Sequence, residues 1–401
     1  MDDQLAHLLR LGTRRIDRVD LTHTREIVGQ LRPGLRLQIL LGARGVGKTT
    51  ALRQYARLHL AGERSAYLDL DDLYFAERRL LETVDQLYER GYRVLLLDEV
   101  HRYAGWSREI KTAYDRYEDL RIALTGSSMS ALVQGDGDLS RRARWYELTG
   151  MSLREYARLV RGIDLPRVAL QDLPMRAEEL AGTVSEALRP HATAPVPLLA
   201  DYLVSGYYPF VLEDPEGYLD RLRRACHTAI DIDIAPVGAL TPESTHKLKR
   251  LLELLAGNVP YRPNVSHVER QLGADRKQVY RLLDLLERAA LIRRLWAPGK
   301  SPTTLRKPEK IYLDNPNLAH ALASVDVGNL RETAFLAMVT PVAEVSAGRT
   351  ADFVIEGTDY EVGGRGKSRR QLPDGGVRVV ADVAAPFADD VVPLWSFGLL
   401  Y

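Results

Sequence analysis

A short stretch near the amino end has the residue types and spacing that bind phosphate groups. Residues 42–49 read GARGVGKT and match the pattern G-x-x-x-x-G-K-[ST] at every fixed position. The run LQILL before them predicts a buried strand, and TTALRQYARLHL around their end predicts a helix. Glycines let backbone N–H groups of such a loop point at phosphate oxygens, and the helix start adds partial positive charge. The stretch therefore predicts a phosphate-binding loop.

Two side chains of this loop add chemistry of their own. We expect Lys48 to reach the β- and γ-phosphates of a nucleotide and the Thr49 hydroxyl to ligate Mg²⁺. Lys48 is thus also a candidate catalytic residue. The predicted nucleotide-binding residues are Gly42, Ala43, Arg44, Gly45, Val46, Gly47, Lys48, Thr49 and Thr50.

An acidic pair ends a second apolar run further along the chain. In YRVLLLDEVHR, residues 94–97 are continuously apolar, as in a central parallel strand, and Asp98 and Glu99 follow them. Asp98 would meet Mg²⁺ through water, and Glu99 would orient or deprotonate an attacking water. The alternative is a solvated acidic turn. The preceding phosphate loop favours the catalytic interpretation.

Hydroxyl residues and an arginine pair follow in the next segments. LRIALTGSS predicts another strand, after which Thr125, Ser127 or Ser128 could sense the γ-phosphate or the water. Serine capping of a helix is the alternative. Arg141 and Arg142, in GDLSRRARWYEL, could reach the γ-phosphate of a neighbouring subunit and offset transition-state charge. A solvated arginine pair is the alternative there.

The order of these motifs resembles that of a prokaryotic AAA-type P-loop ATPase family with a winged helix and a C-terminal restriction-endonuclease-like (PD-(D/E)XK-like) domain. The resemblance rests on the phosphate loop, LDEVHR, WSREIKTAYDRY, LTGSS, DLSRRA and GMSLREY, and it extends over nearly the whole chain. It implies an α/β core, ATP with Mg²⁺, and homo-oligomers that share sites. The serine and arginine positions of the family correspond to Ser127, Ser128, Arg141 and Arg142, and which arginine acts stays open.

A length of 401 residues exceeds one ordinary core and predicts two to four domains. We expect a P-loop ATPase core over 1–160, a helical lid over 161–240, a winged helix over 241–300 and a small α/β restriction-endonuclease-like domain over 301–401. In the lid segment, the aromatic residues Tyr207, Tyr208 and Phe210 are interpreted as core rather than as a platform that stacks on bases.

Residues 241–300 carry a local excess of positive charge. Lys and Arg outnumber Asp and Glu there by twelve to six, and the segment reads as three helices followed by the strand-like LIRRLWAP. The third helix begins with the candidate nucleic-acid residues Arg276, Lys277, Gln278 and Arg281, which lie off its apolar face. Double-stranded DNA is the predicted partner. A protein partner packed on the same module is the alternative.

Three carboxylates mark the tail. Glu332 lies on a predicted helix, Asp352 begins ADFVIEG, and Glu361 begins EVGGRGK. Together they could hold a second divalent ion that activates water against a phosphodiester. The tail is therefore predicted to be either a nuclease or a catalytically silent domain used for docking or DNA contact.

The lysine that such nucleases usually carry two places after the second carboxylate is missing here. Gly363 stands at that position, and Arg365 and Lys367 follow it. The side-chain alternation of a strand does not direct either cation inward. Whether the tail cleaves DNA stays open.

Bulk composition excludes other classes of protein. Lys and Arg number 55 against 54 Asp and Glu, so any nucleic-acid contact must come from a local patch. A single cysteine, Cys226, excludes a disulfide framework and a cysteine metal site. The apolar runs are too short to span a bilayer, and the start has no secretory signal pattern. We expect a cytoplasmic location without a membrane partner.

The sequence thus predicts Mg²⁺-dependent ATP binding and hydrolysis coupled to DNA or partner binding by the winged helix. The alternatives are an ATP-gated DNA nuclease that uses the C-terminal domain, or a slow ATP-dependent switch or scaffold. Stimulation of turnover by DNA would distinguish a DNA-dependent machine from a switch that chooses another partner.

Overall fold

The computed structural model describes residues 3–126, 139, 141–299, 307–323, 328, 330–366 and 372–401. Ser127, Ser128 and Lys367 lie outside this described part. The chain forms two compact units, Met1–Thr149 and Gly150–Tyr401. The finer division of the second unit into lid, winged helix and endonuclease-like domain stays a prediction. None of the described helices is long and apolar enough to cross a membrane.

The first unit is built on a parallel five-stranded sheet in the order β2-β3-β4-β1-β5. Its strands are β1 (Leu37–Leu41), β2 (Ser65–Asp69), β3 (Val94–Asp98), β4 (Arg121–Gly126) and β5 (Arg144–Glu147). Its helices are α1 (Asp3–Asp17), α2 (Ile27–Gln30), α3 (Lys48–His59), α4 (Tyr74–Glu77), α5 (Leu80–Glu89) and α6 (Trp106–Arg116).

The burial of β3 agrees with its interior position in the sheet. Every residue of β3 is buried, which agrees with its uninterrupted apolar run and its place inside a sheet covered by helices. Because β4 lies between β1 and β3, the carboxyl ends of these three strands are neighbours. Ligands of open α/β sheets bind at this edge, outside the carboxyl ends of the strands.

The second unit begins with helices α7 (Leu153–Arg161), α8 (Leu173–Leu188), α9 (Pro195–Ser205), α10 (Tyr218–Thr228) and the short α11 (Ala235–Val237). The rings of Tyr207, Tyr208 and Phe210 lie in its interior, with 2%, 2% and 7% of their surface exposed. Tyr218 donates a hydrogen bond to the Asn317 side chain beneath them at 2.5 Å. Their interpretation as core is confirmed, since buried rings cannot stack on bases.

Three helices and a hairpin follow. They are α12 (Pro242–Ala256), α13 (Val265–Leu272) and α14 (Arg276–Arg288), with the antiparallel strands β6 (Ile292–Leu295) and β7 (Lys310–Leu313). Gly273 ends α13 with a left-handed φ of 56°, and the Asp275 side chain accepts a hydrogen bond from the Gln278 N–H to begin α14. Tyr261 forms an isolated bridge with Ile311 beside the hairpin.

The unit ends in helices α15 (Pro316–Leu322) and α16 (Leu330–Val339) and a second five-stranded sheet. Its strands are β8 (Ser346–Ala347), β9 (Phe353–Ile355), β10 (Thr358–Gly363), β11 (Val377–Val380) and β12 (Val391–Pro393). Strands β8 to β10 are antiparallel, and β10 to β12 are parallel. Phe335 of α16 packs against Phe353, Tyr360 and Phe397, which fixes the helix on this sheet.

Candidate functional site

The phosphate loop connects β1 to α3, as the sequence predicts. Gly45 and Gly47 have left-handed φ values of 87° and 93°, which side chains with a Cβ rarely adopt. A Cβ on Gly42 would lie 2.2 Å from the carbonyl oxygen of Leu148. Each of these three glycines therefore meets a geometric requirement of the loop.

Lys48 lies at the first residue of α3 and is only 5% exposed. Its Nζ donates hydrogen bonds to the carbonyl oxygens of Gly42 at 2.8 Å and Ala43 at 2.7 Å. A buried ammonium group needs such partners, and here the loop itself supplies them. The cation is thus held against the loop that the sequence predicts to wrap around phosphate.

Arg25 supports the same loop and was missed by sequence reasoning. It is 5% exposed, and its guanidinium donates to the Val46 carbonyl at 2.9 Å and to the Thr149 carbonyl at 3.1 Å. These two carbonyls lie far from Arg25 and from each other in the sequence, so no local sequence pattern indicates the contact. The arginine joins the phosphate loop to the last residue of the first unit.

Asp98 ends β3 and is the centre of a hydrogen-bond cluster. Its side chain is buried, and its Oδ1 accepts a hydrogen bond from the Thr49 hydroxyl at 3.1 Å and a short one from the Thr125 hydroxyl. Its Oδ2 accepts a hydrogen bond from the Tyr67 hydroxyl at 2.5 Å. The structure thus brings together Thr49 and Asp98, the two predicted Mg²⁺ residues. Their hydroxyl and carboxylate oxygens are the donor types that Mg²⁺ prefers.

Glu99 directly follows, with a left-handed φ of 53° that is rare for a residue other than glycine. Its backbone N–H donates to the Thr125 hydroxyl at 3.3 Å, and its Oε2 lies 3.5 Å from Nε2 of His101. Burial, followed by the charge of Asp98, raises the pKa of the Glu99 carboxyl, while His101, Lys48 and Arg44 oppose the shift. Strained backbone and a raised carboxyl pKa occur together at many catalytic positions.

The two candidate arginines have different surroundings. Arg142 forms a two-point contact with Asp115, from Nε to Oδ1 at 3.0 Å and from Nη2 to Oδ2 at 3.2 Å. Arg141 is exposed. Arg142 is therefore engaged by α6 of its own chain, whereas Arg141 points outward. Action on a neighbouring subunit stays a prediction.

The four candidate nucleic-acid residues of α14 also differ from one another. Arg276 and Lys277 are exposed in the first turn of the helix. Arg281 donates to the Gly238 carbonyl at 2.5 Å, and the Gln278 side chain donates to the Ser244 hydroxyl at 3.3 Å. The last two are thus hydrogen-bonded to neighbouring segments of the chain, although Arg281 is itself exposed. A surface for DNA on this helix would depend mainly on Arg276 and Lys277.

In the tail, Glu332 and Asp352 come together around a lysine that sequence reasoning missed. Nζ of Lys310 donates to Glu332 Oε2 at 2.9 Å and to Asp352 Oδ1 at 3.1 Å. The Tyr312 hydroxyl donates to the same Glu332 oxygen at 2.5 Å. Lys310 comes from β7, well before the carboxylates in the sequence, so the spacing of residues around Gly363 gave no signal for it.

Glu361 joins this cluster through the backbone. Its Oε2 accepts a hydrogen bond from the Asp352 N–H at 3.0 Å, and Asp352 Oδ2 accepts one from the Val362 N–H at 3.1 Å. Across the described part of the chain, no group of three or more His, Cys, Asp or Glu side chains is placed to hold a metal ion. The three carboxylates expected to ligate a second ion are instead arranged around the Lys310 ammonium and backbone N–H groups.

Two family models match parts of the chain. Residues 35–157 match an AAA domain model, AAA_14, and residues 196–328 match a domain of unknown function, DUF8612. The first match contains all five strands of the parallel sheet, the phosphate loop and the Asp98–Glu99 pair. Residues 35–157 therefore have the fold and motifs of an AAA-type P-loop ATPase domain. Neither match describes a winged helix or an endonuclease domain, and those parts of the resemblance stay predictions.

Whole-chain similarities are more distant. An uncharacterized protein of Methanocaldococcus jannaschii is 28% identical over 291 residues, which are 69% of this chain and 60% of that protein. A Walker-type ATPase of Pyrococcus abyssi is 15% identical with a TM-score of 0.42, covering 77% of this chain and 99% of that one. The RuvB Holliday junction branch migration motor of Thermotoga maritima is 17% identical with a TM-score of 0.28, covering 81% and 94%.

The chain thus spans about 60% of the length of the curated relative that it matches. Its activity, substrates and partners are inferred from its own residues.

Proposed function

We propose that this protein is a Mg²⁺-dependent ATPase whose nucleotide state is coupled to the binding of double-stranded DNA by its second unit. The contact between Thr49 and Asp98 at 3.1 Å carries this proposal. It joins the end of the phosphate loop to the end of the acidic strand, and Glu99 is the next residue. The groups that would contact the phosphate, the metal and the attacking water therefore lie next to one another.

Phosphate binding would exchange one set of Lys48 contacts for a stronger one. In the structure the ammonium donates to two neutral carbonyls. A triphosphate offers negatively charged oxygens, so its hydrogen bonds with the ammonium add the attraction between opposite charges. Backbone N–H groups of the loop and the start of α3 would bind the remaining phosphate oxygens.

Thr49 and Asp98 would hold the metal, the hydroxyl directly and the carboxylate through water. The Mg²⁺ held by these two residues would neutralise negative charge on the phosphates. Glu99 would orient the attacking water and accept its proton. The oxygen of that water forms a bond to the γ-phosphorus as the bond to the β–γ bridging oxygen breaks. The raised pKa of Glu99 makes it a stronger base than a solvated carboxylate.

A neighbouring subunit would complete the site in a homo-oligomer. Arg141 is the better candidate for this contact, because it is exposed while Arg142 is held by Asp115. A guanidinium beside the γ-phosphate would offset the charge of the transition state.

The three helices α12 to α14 and the β6–β7 hairpin would act as a winged helix. In such modules the last helix lies in the major groove and its first turn contacts base edges. Exposed Arg276 and Lys277 occupy that first turn. A protein partner on the same surface is the alternative, and it predicts no effect of DNA on turnover.

The test measures ATP hydrolysis by the full chain in Mg²⁺, with and without double-stranded DNA, while the same DNA is followed on a gel. Lys48→Ala should abolish ATP binding, and Glu99→Gln should retain binding and stop turnover. Normal hydrolysis by Glu99→Gln would contradict the role given to that residue. A rate of ATP hydrolysis that DNA does not change at any salt concentration would favour a protein partner for the second unit.

A second candidate function is DNA cleavage by the tail, which one observation favours. Nζ of Lys310 contacts both Glu332 and Asp352, and it would take the place of the amine that is absent at Gly363. A lysine in this place could stabilise charge that develops on a phosphodiester. A divalent ion would have to take carboxylate oxygens that Lys310 now occupies, so we place this function second to a silent, structural cluster.

Cleavage on the same gel distinguishes these possibilities. A nuclease requires cutting that depends on a divalent ion and disappears in both Asp352→Ala and Lys310→Met. A structural cluster predicts intact DNA with the unaltered chain and lower thermal stability of both variants.

A further inference from the structure

Tyr67 contacts the metal-binding carboxylate from a strand that carries no recognised motif. It lies on β2, is 2% exposed, and donates from its hydroxyl to Asp98 Oδ2 at 2.5 Å. The other oxygen of Asp98 accepts hydrogen bonds from Thr49 and Thr125. The two carboxylate oxygens therefore have different partners, and Tyr67 alone among these three hydroxyls contacts Oδ2.

Arg53 fixes the direction of this hydrogen bond. It lies on α3, the helix that begins at Lys48, and its Nη2 donates to the Tyr67 hydroxyl at 2.8 Å. Its guanidinium carbon lies 4.9 Å from the centre of the Tyr67 ring. Because the arginine can only donate, the tyrosine oxygen accepts from it and the tyrosine proton is directed to Asp98.

Helix α1 holds Tyr67 from the other side. A Cβ on Gly12 would lie 2.4 Å from the Tyr67 carbonyl oxygen, so the helix and the strand approach as closely as glycine allows. Arg15 of α1 also pairs with Asp69 at the end of β2, at 3.0 Å. The strand that carries Tyr67 is thus fixed by two contacts to α1, independent of the phosphate loop.

We propose that Tyr67 is a positioning residue for the metal: it holds Oδ2 of Asp98 so that Oδ1 stays directed at Thr49 and the bound ion. This inference rests on the proposed Mg²⁺–ATP function. Groups that lie behind the direct ligands of a metal and orient them typically change its affinity by about 10–100-fold when they are removed. Asp98, which would meet the ion through water, is such a group, and Tyr67 acts on the metal through it. Removing the hydroxyl leaves Oδ2 without this donor and lets the carboxylate rotate about its bond.

The test measures metal binding directly. Mn²⁺ is titrated by electron paramagnetic resonance into the full chain saturated with a non-hydrolysable ATP analogue. Tyr67→Phe should raise the Mn²⁺ dissociation constant by about 10-fold, the low end of that range, while the affinity for the analogue in EDTA stays the same. Tyr55→Phe is the matched control, because Tyr55 is also 2% exposed but its hydroxyl accepts a hydrogen bond from Gln38.

Arg53→Gln gives a second variant that leaves the tyrosine in place. It should weaken Mn²⁺ binding by less than Tyr67→Phe, since the hydroxyl can still donate to Asp98. Equal Mn²⁺ affinity in Tyr67→Phe, Arg53→Gln and the unaltered chain would overturn the role of Tyr67. Failure of the unaltered chain to bind Mn²⁺ together with the analogue would instead overturn the proposed function.

Discussion

The surroundings of a single residue, Glu99, determine its acid–base chemistry. Its carboxyl is mostly buried beside Asp98, and both effects disfavour its charged form. The folded chain therefore holds its proton up to a higher pH than the unfolded chain does. The stabilisation from protonated Glu99 is present below the ordinary pKa and is lost as the pH rises through the raised one.

The acid side of the pH–rate profile should report this shift. A base must be ionised, so kcat/KM should fall as the pH drops through the raised Glu99 pKa, above the ordinary value of 4.5. His101→Gln should move this fall to higher pH, because His101 lowers the pKa of Glu99. The measurement is ATP hydrolysis from pH 5 to pH 8 at subsaturating ATP, about the range that most folded chains tolerate. An unmoved profile in His101→Gln would contradict the assignment.

Sequence reasoning named those residues of the proposed site that lie in contiguous motifs and missed those supplied from elsewhere. Lys48, Thr49, Asp98 and Glu99 each belong to a short pattern with a mechanism. Tyr67 lies within β2 and Arg25 lies just before α2, and neither belongs to a recognised motif. Their roles arise from contacts to Asp98 and to the Val46 carbonyl, which depend on the order of strands in the sheet.

Helix α14 shows how far the spacing of apolar residues predicts the contacts of a whole helix. Its apolar spacing predicted the buried face, and the residues at Val279, Leu282, Leu283 and Leu286 are buried as expected. The spacing did not reveal that Arg281 would donate to Gly238, because that carbonyl belongs to a different segment. Periodicity determines which side of a helix is apolar, but tertiary contacts determine which polar residues remain available.

Substitutions on α14 should therefore have unequal effects on DNA binding. Arg276→Ala with Lys277→Ala should weaken binding across DNA sequences and reduce the salt dependence of log K by about 1 for each lost phosphate contact. Arg281→Ala should lower thermal stability and leave the salt dependence nearly unchanged. Fluorescence anisotropy with a labelled duplex at several salt concentrations measures both. Equal losses from the two variants would show that Arg281 leaves Gly238 to bind DNA.

The pairing of β6 with β7 could not be predicted from the sequence either. The sequence indicates its first strand in LIRRLWAP but assigns residues 310–313 to the tail, so it gives no sign that Lys310–Leu313 pairs with Ile292–Leu295. Strand pairing is a long-range property, so the sequence of each strand alone does not reveal the register in which the two strands pair. Lys310 was missed for the same reason.

At the scale of the whole molecule, the division into two compact units has a measurable consequence. The proposed nucleotide residues all lie in the first unit, so a ligand that binds only its folded form should stabilise that unit. At 100 times its dissociation constant, such a ligand contributes about 2.7 kcal/mol.

Calorimetry of the full chain should then show two unfolding transitions. Mg²⁺ with a non-hydrolysable ATP analogue should raise one of them and leave the other in place. Lys48→Ala provides the control, because its transitions should not respond to the analogue. A single transition that moves as a whole would show that the units unfold together.

The β7 strand belongs to two structures at once. Its backbone pairs with β6 and Tyr261, while Lys310 and Tyr312 extend from it to the carboxylates of the C-terminal sheet. Hydrogen bonds lose most of their strength when their atoms separate by about 1 Å more than the usual distance. A small shift of the hairpin would therefore leave Glu332 and Asp352 as two neighbouring negative charges without their cation. The position of the hairpin thus determines the local charge around Glu332 and Asp352.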